Sequence, residues 1–239
     1  MTWSCILCGT TNRNTTQVKR ETMQCRDCGS TWRARAVGLA VLHGLGYESL
    51  KFKSVTPDWS RIGLGISDDI SLSSKLSTKF FYTNSYFDTF PYLDIRKVPT
   101  RAKRQFEFVI CSDVLEHIDV DLPKAFAGLR SLLNARGFLV ASVPTKKDTP
   151  HKDFYPAMKH FSIERDEVHW TDDRGKRHVD RDPEFHGGRG QNLAFRQFSD
   201  ESFVHALASA GFAEIIPARF EPKLGVPEIE SPGIFVARG

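Results

Sequence analysis

At 239 residues, 40% apolar and 26% charged, the chain is long enough to bury one full core and carry an appendage. A formal net charge of +4, from 33 basic and 29 acidic residues, is too slight for the dense basic stripe that grips nucleic-acid phosphates. No apolar run approaches the ~18 residues that cross a bilayer. The start Met-Thr-Trp-Ser-Cys lacks a basic region followed by an apolar stretch, which argues against a secretory signal and for a cytoplasmic protein.

Four of the five cysteines repeat one pattern, Cys-x-x-Cys-Gly, at Cys5 and Cys8 and again at Cys25 and Cys28, with 16 residues between the pairs. Without a secretory signal such pairs point to metal rather than to disulfides. Two knuckles brought together by a hairpin offer four thiolates at tetrahedral geometry, which suits zinc. The tip would carry Asn12, Asn14, Thr15 and Thr16. A closed four-sulfur site has no open position, so the metal is expected to be structural. We read residues 1–30 as a zinc ribbon.

Ser30 or Thr31 can cap a helix that runs to Gly44 and Gly46, so residues 31–47 read as a linking helix. Residues 48–239 then form the large domain. Leu50 to Thr56 alternates apolar and polar and is expected as a strand. Arg61 to Asp69 is expected as a glycine-bearing loop, followed by a helix over 70–80 and a strand over 80–87. Pro91 to Ile95 sets Asp94 on a short loop. The basic runs Arg96 to Arg104 and Arg174 to Arg181 read as solvated loops.

Phe106 to Cys111 is an apolar strand ending on small and acidic residues. A helix whose first turn carries Glu116 and His117 crosses over, the chain turns at Gly137, and Phe138 to Val143 forms the next strand. This is a parallel crossover within a doubly wound, mostly parallel α/β sheet. Ligands sit at the carboxyl ends of such strands, so Cys111, Ser112, Asp113, Pro144 and Thr145 are expected to face one. The segment over about 150–192 is an insertion mixing aromatics with charges. Within it Val168 to Val179 reads as a hairpin turning at Arg174-Gly175, placed to act as a lid. Its aromatics suit stacking on an acceptor or packing equally well. A helix over 201–210, a strand over 213–220 and an antiparallel edge strand from Ile234 complete the chain.

The run Phe106 to Ser142, with Asp113-Val-Leu-Glu-His117 at its centre, resembles the class I S-adenosylmethionine-dependent methyltransferases, which have a Rossmann-like fold. Leu133-Asn134-Ala135-Arg136-Gly137 stands where that superfamily carries Leu-x-Pro-Gly-Gly, so Pro and the first Gly are replaced. The whole chain is similar to a bacterial subgroup with an N-terminal zinc ribbon, often found beside glycosyltransferases. The matching segments are Gly63 to Asp68, Tyr82 to Asn84, Pro91 to Ile95 and His186 to Gly190. The resemblance implies S-adenosylmethionine as cofactor. Asp94 and Ile95 would meet its adenine, and Gly63, Gly65, Ser67, Asp68, Cys111, Ser112 and Asp113 its ribose and amino-acid tail. Thr56 stands at the expected first strand end. The acid that grips the ribose at the second strand end in that superfamily is replaced by Ser85.

Methyl transfer to oxygen is helped by a base within reach of the acceptor proton. His117, His151 and His186 are the candidates. A structural role for His117 beside Glu116 is equally in view, whereas a loop as rich in glycine as 186–190 is costly to order and seldom a mere linker. The reading is an O-methyltransferase of a glycan or another small hydroxylated acceptor. The alternatives are an rRNA or tRNA methyltransferase and a zinc-ribbon binding module on a degenerate methyltransferase fold.

Overall fold

The structure is a computed structural model that describes residues 2–13, 18–47, 51–145, 148–188, 190–230 and 232–239. The ribbon tip expected at Asn14, Thr15 and Thr16 lies outside these residues, as does Leu50. Two short strands, β1 (Thr2–Ser4) and β2 (Thr11–Arg13), pair antiparallel. Helix α1 (Trp32–Gly44) follows, and the Thr31 hydroxyl caps it by accepting from the Ala34 amide. It is buried nearly all round, from Trp32 to Leu42, because it is covered on two sides. Against the sheet it meets β5, β6 and β13. Trp3, Ile6 and Leu7 of the ribbon belong to the same apolar cluster as Phe80, Phe108 and Phe138 of the sheet.

The large sheet has the order β12-β13-β6-β5-β3-β4. Its parallel strands are β3 (Asp58–Ile66), β4 (Phe80–Ser85), β5 (Phe106–Ser112) and β6 (Leu133–Ser142). Helix α2 (Ile70–Leu76) connects β3 to β4, and α3 (Leu122–Leu132) connects β5 to β6. Beyond β6 come β7 (Lys152–Asp153), β8 (His160–Glu164), β9 (Glu167–Thr171), β10 (Arg177–Asp180) and β11 (Arg196–Gln197). Helix α4 (Asp200–Ser209) is closed by a capping box between Ser199 and Ser202. It precedes β12 (Glu214–Pro217) and β13 (Ile234–Arg238). Helices α1 and α2 cover one face of the sheet, and α3 and α4 the other. β5 is apolar on both sides, as a central parallel strand must be.

Several expectations need correction. The strand read over 50–56 is a 3₁₀ turn at Phe52–Ser54, and the segment read as a glycine loop is β3 itself. Its glycines serve packing. A Cβ on Gly63 would stand 2.1 Å from the Phe108 ring, and one on Gly65 would stand 2.2 Å from the Tyr82 hydroxyl. Two aromatic side chains thus occupy the space that side chains on β3 would need, and the Gly-x-Gly spacing places both gaps on one face. Helix α2 stops at Leu76, since Phe80 already begins β4. The turn expected at Gly137 is drawn into the bulged start of β6: residues 134–137 lie between the pairs Phe106–Leu133 and Phe108–Phe138. Glu116 and His117 sit on a separate 3₁₀ turn, Leu115–His117, ahead of α3. β13 pairs with both β6 and β12, so the sheet edge is β12. The expected hairpin forms as β9 and β10, with Gly175 at φ +79°. An unforeseen third strand, β8, pairs with β9.

Candidate functional site

The chain reverses the direction of its crossovers between β3 and β5, which are neighbours in the sheet. Their carboxyl ends therefore form the switch-point crevice where open α/β sheets take ligands. At the end of β3, Ser67 adopts φ +57° and Asp68 is buried. The Asn84 side chain clamps the Asp68 backbone, accepting from its amide at 2.9 Å and donating to its carbonyl at 3.0 Å. The Tyr82 hydroxyl donates to Asp68 Oδ2, whereas Oδ1 is buried without a hydrogen-bond partner among the described residues. Burial pushes the Asp68 carboxyl up to about 8 against the opposing hydrogen bond from Tyr82. The Tyr82 to Asn84 segment thus has a visible task, which is to fix one acid at a strand end.

At the end of β5, Cys111 is fully buried and its thiol is pushed up by that burial. Asp113 turns out of the strand at φ +54°. Arg33 from α1 reaches its carboxylate at 3.1 Å and Arg20 from the ribbon at 2.5 Å. Ser142 at the end of β6 also donates to it, at 2.9 Å. Arg33 donates in addition to Ser112 Oγ at 3.0 Å. Ribbon, first helix and the ends of β5 and β6 are therefore joined at a single acid. Arg20 carries no periodic or motif signal in the sequence and was not foreseen. Of the other residues near the start of α1, Trp32 and Arg35 are buried and structural; Arg35 donates to the carbonyls of Gly225, Ser30 and Met23.

The glycine loop folds back onto the turn that follows Asp113. Arg196 of β11, itself buried, ties that turn to β7 by donating to the carbonyls of Leu115 and Ile118 and pairing with Asp153. The loop closes on itself through the His186 amide, which donates to the Asn192 carbonyl at 3.1 Å. His117 Nε2 and His186 Nδ1 come to 3.2 Å. The carboxylate of Glu116, almost wholly buried, lies behind them at 3.7 and 3.6 Å. That carboxylate pushes the His186 imidazole above its ordinary range. Two of the three expected histidines are thus brought together, 69 positions apart in the chain. His151 is not with them: it is exposed and contacts Ser202, Phe198 and Asp153.

A cleft of ≈ 400 Å³ joins these parts. Ser67 and Asp113 line its sheet side, His117, Ile118 and Asn192 the opposite wall, and Phe87, Asp88 and Arg96 one end. Asp94 stands next to that end, but its carboxylate is engaged by Arg96 at 3.0 Å, and Ile95 is part of the core. Ser85 is buried and donates to the Gly65 carbonyl. Thr56 precedes β3 and so lies toward the opposite edge of the sheet. Thr145 is buried beside Phe198. In the insertion, Tyr155, Val168, Leu193 and Phe195 form a small core, so the packing reading holds for these aromatics.

In the ribbon, the four sulfurs of Cys5, Cys8, Cys25 and Cys28 all lie within 4.8 Å of one another. Asn12 links the two knuckles, donating toward Cys25 Sγ and accepting from the Arg26 amide. Among the described residues, no helix is long and apolar enough to cross a membrane.

No curated protein matches the chain. Among solved structures, it is similar to the sugar N-methyltransferase KedS8 from Streptoalloteichus sp. ATCC 53650, with 16% identity, 96% of this chain and 99% of that one covered, and a TM-score of 0.49. The amino pentose methyltransferase CalS10 from Micromonospora echinaspora gives 16%, 87%, 92% and 0.47 for the same quantities. The 1,6-didemethyltoxoflavin-N1-methyltransferase from Burkholderia thailandensis gives 14%, 85%, 77% and 0.48. A family model described as a methyltransferase domain matches residues 60–215. That match covers more than half of the chain and includes β3 through the start of β12, so the chain belongs to the methyltransferase-domain family as a class I S-adenosylmethionine-dependent methyltransferase.

Proposed function

We propose that the protein methylates an oxygen of a glycan or another small hydroxylated molecule. The observation that carries this reading is the switch-point cleft. Its sheet side offers strand-end groups for a cofactor, and its far wall offers His117, with His186 beside it, for an acceptor. The buried, unpartnered Oδ1 of Asp68 fits the cofactor's amino-acid ammonium, since a buried acceptor left unpaired is costly. Ser67, Ser112 and Asp113 would border the same end, with Phe87 and Arg96 toward the ring end. S-adenosylmethionine, when bound, supplies an electrophilic methyl on a sulfonium.

The chain's own contribution is positioning, which dominates an in-line displacement. Arg196 holds the turn that carries His117 against the cleft, where an acceptor hydroxyl can approach the histidine pair. The insertion over about 150–192 is suited to exclude water from that side. The four-cysteine cluster we assign to a structural zinc ion: sulfurs 3.5 and 3.7 Å apart across the knuckles match four ligands held at ~2.3 Å in a tetrahedron.

The test is a screen with methyl-labelled cofactor over oligosaccharides, nucleosides and rRNA, run beside calorimetry with the cofactor alone. Label on a hydroxyl of a small saccharide supports the reading. Label only on RNA overturns the acceptor class, and no cofactor binding at millimolar concentration overturns the enzyme.

A further inference from the structure

We propose that Glu116, His117 and His186 bind a divalent transition-metal ion, distinct from the ion of the four cysteines. Its open coordination positions would face the cleft. His117 Nδ1 lies 2.9 Å from the Leu193 carbonyl. A carbonyl only accepts, so Nδ1 carries the hydrogen and Nε2 is left with a bare lone pair. His186 stands between two carboxylates, Glu184 at 3.6 Å from Nε2 and Glu116 at 3.6 Å from Nδ1, so an ion taken at Nδ1 leaves Nε2 to carry the hydrogen toward Glu184. His117 Nε2 and His186 Nδ1 face each other at 3.2 Å.

Behind them is the Glu116 carboxylate, 2% exposed, with neither oxygen hydrogen-bonded among the described residues. The bare His117 Nε2, His186 Nδ1 and a buried anion converge on one point, an arrangement that a cation completes. The spacing also fits an ion. Two nitrogens held at ~2.1 Å from one metal and about 100° apart stand ~3.2 Å from each other. A nitrogen and an oxygen about 120° apart at that radius stand ~3.6 Å from each other. The outer hydrogen bond of His117 to a backbone carbonyl and the facing of His186 toward a carboxylate are the arrangement that orients metal-bound imidazoles.

Two imidazoles and one carboxylate suit zinc, iron(II) or manganese rather than magnesium or calcium, which prefer all-oxygen shells. Three protein ligands leave positions for the acceptor. His117 lines the cleft, so a hydroxyl or a vicinal pair of hydroxyls entering there would become a ligand, and coordination would favour its alkoxide. This last step rests on the proposed O-methylation. The metal site itself does not.

The test uses the full chain prepared with Co²⁺ in its four-cysteine site and titrated with further Co²⁺, without cofactor or acceptor. Cobalt held by thiolates gives intense charge-transfer bands, whereas cobalt on imidazole and carboxylate gives only weak d–d bands. Total bound metal is counted by mass spectrometry. Wild type is expected to take a second equivalent showing the weak bands. His186→Ala, on an exposed loop, and the isosteric Glu116→Gln should each weaken that equivalent by roughly a hundredfold or more while keeping the thiolate bands, which report an intact fold. A single equivalent in wild type, or a second one held equally well by both variants, overturns the proposal. Because cofactor and acceptor are absent, failure of the methyl-transfer reading leaves this result standing, and the reverse also holds.

Discussion

Arg33, in the first turn of α1, holds the carboxylate of Asp113 at the end of β5 at a distance of 3.1 Å. Arg20 takes the other oxygen, so a residue from the ribbon and one from the first helix meet at the acid that borders the cleft. All three side chains are less than one-fifth exposed, where screening by water is reduced and charge-assisted hydrogen bonds are at their strongest. Replacing Arg33 by Ala leaves Asp113 short of a partner and is expected to cost about 1–3 kcal/mol, read as a lower urea midpoint. Paired with Asp113→Asn in a double-mutant cycle, the two changes should fall short of additivity by at least ~0.5 kcal/mol. Simple additivity would mean that the contact carries no coupling.

Removing the metal proposed for the four cysteines should reach well beyond the ribbon. Trp3, Ile6 and Leu7 share one apolar cluster with Phe80 and Phe108 of the sheet, and Arg20 adds the ion pair to Asp113. A metal-bound ribbon contributes its binding free energy to folding, and here its core is the sheet's core. Cys28→Ser is therefore expected to lower the melting temperature of the whole chain and to weaken cofactor binding severalfold in calorimetry. An unchanged melting temperature with intact cofactor affinity would show the ribbon to be an independent appendage.

Gly63→Ala tests why β3 carries its glycines. The added methyl would lie 2.1–2.7 Å from three atoms of the Phe108 ring. That ring is buried and stacked between Tyr82 and Phe138, so it has little room to retreat. Overpacking of this kind costs about 1–3 kcal/mol. Phe108→Leu in the same chain should recover part of the loss by vacating the ring's outer edge. If the single substitution leaves the denaturation midpoint where it was, β3 does not need its glycines for packing.

The parts of the fold that the sequence revealed are those where burial is written into a run of residues. Phe108 to Cys111 is apolar throughout because β5 is covered on both faces there, and the helix read over 201–210 begins one residue earlier, where Ser199 and Ser202 close a capping box. β3 was misjudged because its inward side chains are absent: glycines that make room for Phe108 and Tyr82 look like a flexible loop when those partners are not in view. At the site, His117 and His186 stood out by motif and by loop composition. Glu116 gave no sign that its carboxylate is left without a hydrogen bond, since that depends on His186, 70 positions away, coming to rest over it. Arg20 and Arg196 were illegible for the same reason: each acts on segments distant in the chain, and neither sits in a pattern with a period.

Asp68 offers a prediction with a definite sign. Its carboxyl is pushed up to about 8 by burial, above the ~3.9 of an unfolded chain. The folded state therefore holds this proton more tightly than the unfolded state does. The contribution of Asp68 to stability is greatest below pH ~4 and is lost as pH rises from there to about 8. Asp68→Asn, which cannot ionise, should flatten that part of the stability profile. Cofactor binding should run the other way. An ammonium placed against Oδ1 favours the carboxylate, so binding near neutral pH releases a proton and tightens as pH rises toward 8. Calorimetry in two buffers of different ionisation enthalpy reads this directly: the apparent binding enthalpies should differ for the wild type at pH 7 and converge for Asp68→Asn. Equal enthalpies in both buffers for the wild type would mean that Asp68 does not ionise on binding, and would remove it from the cofactor's ammonium.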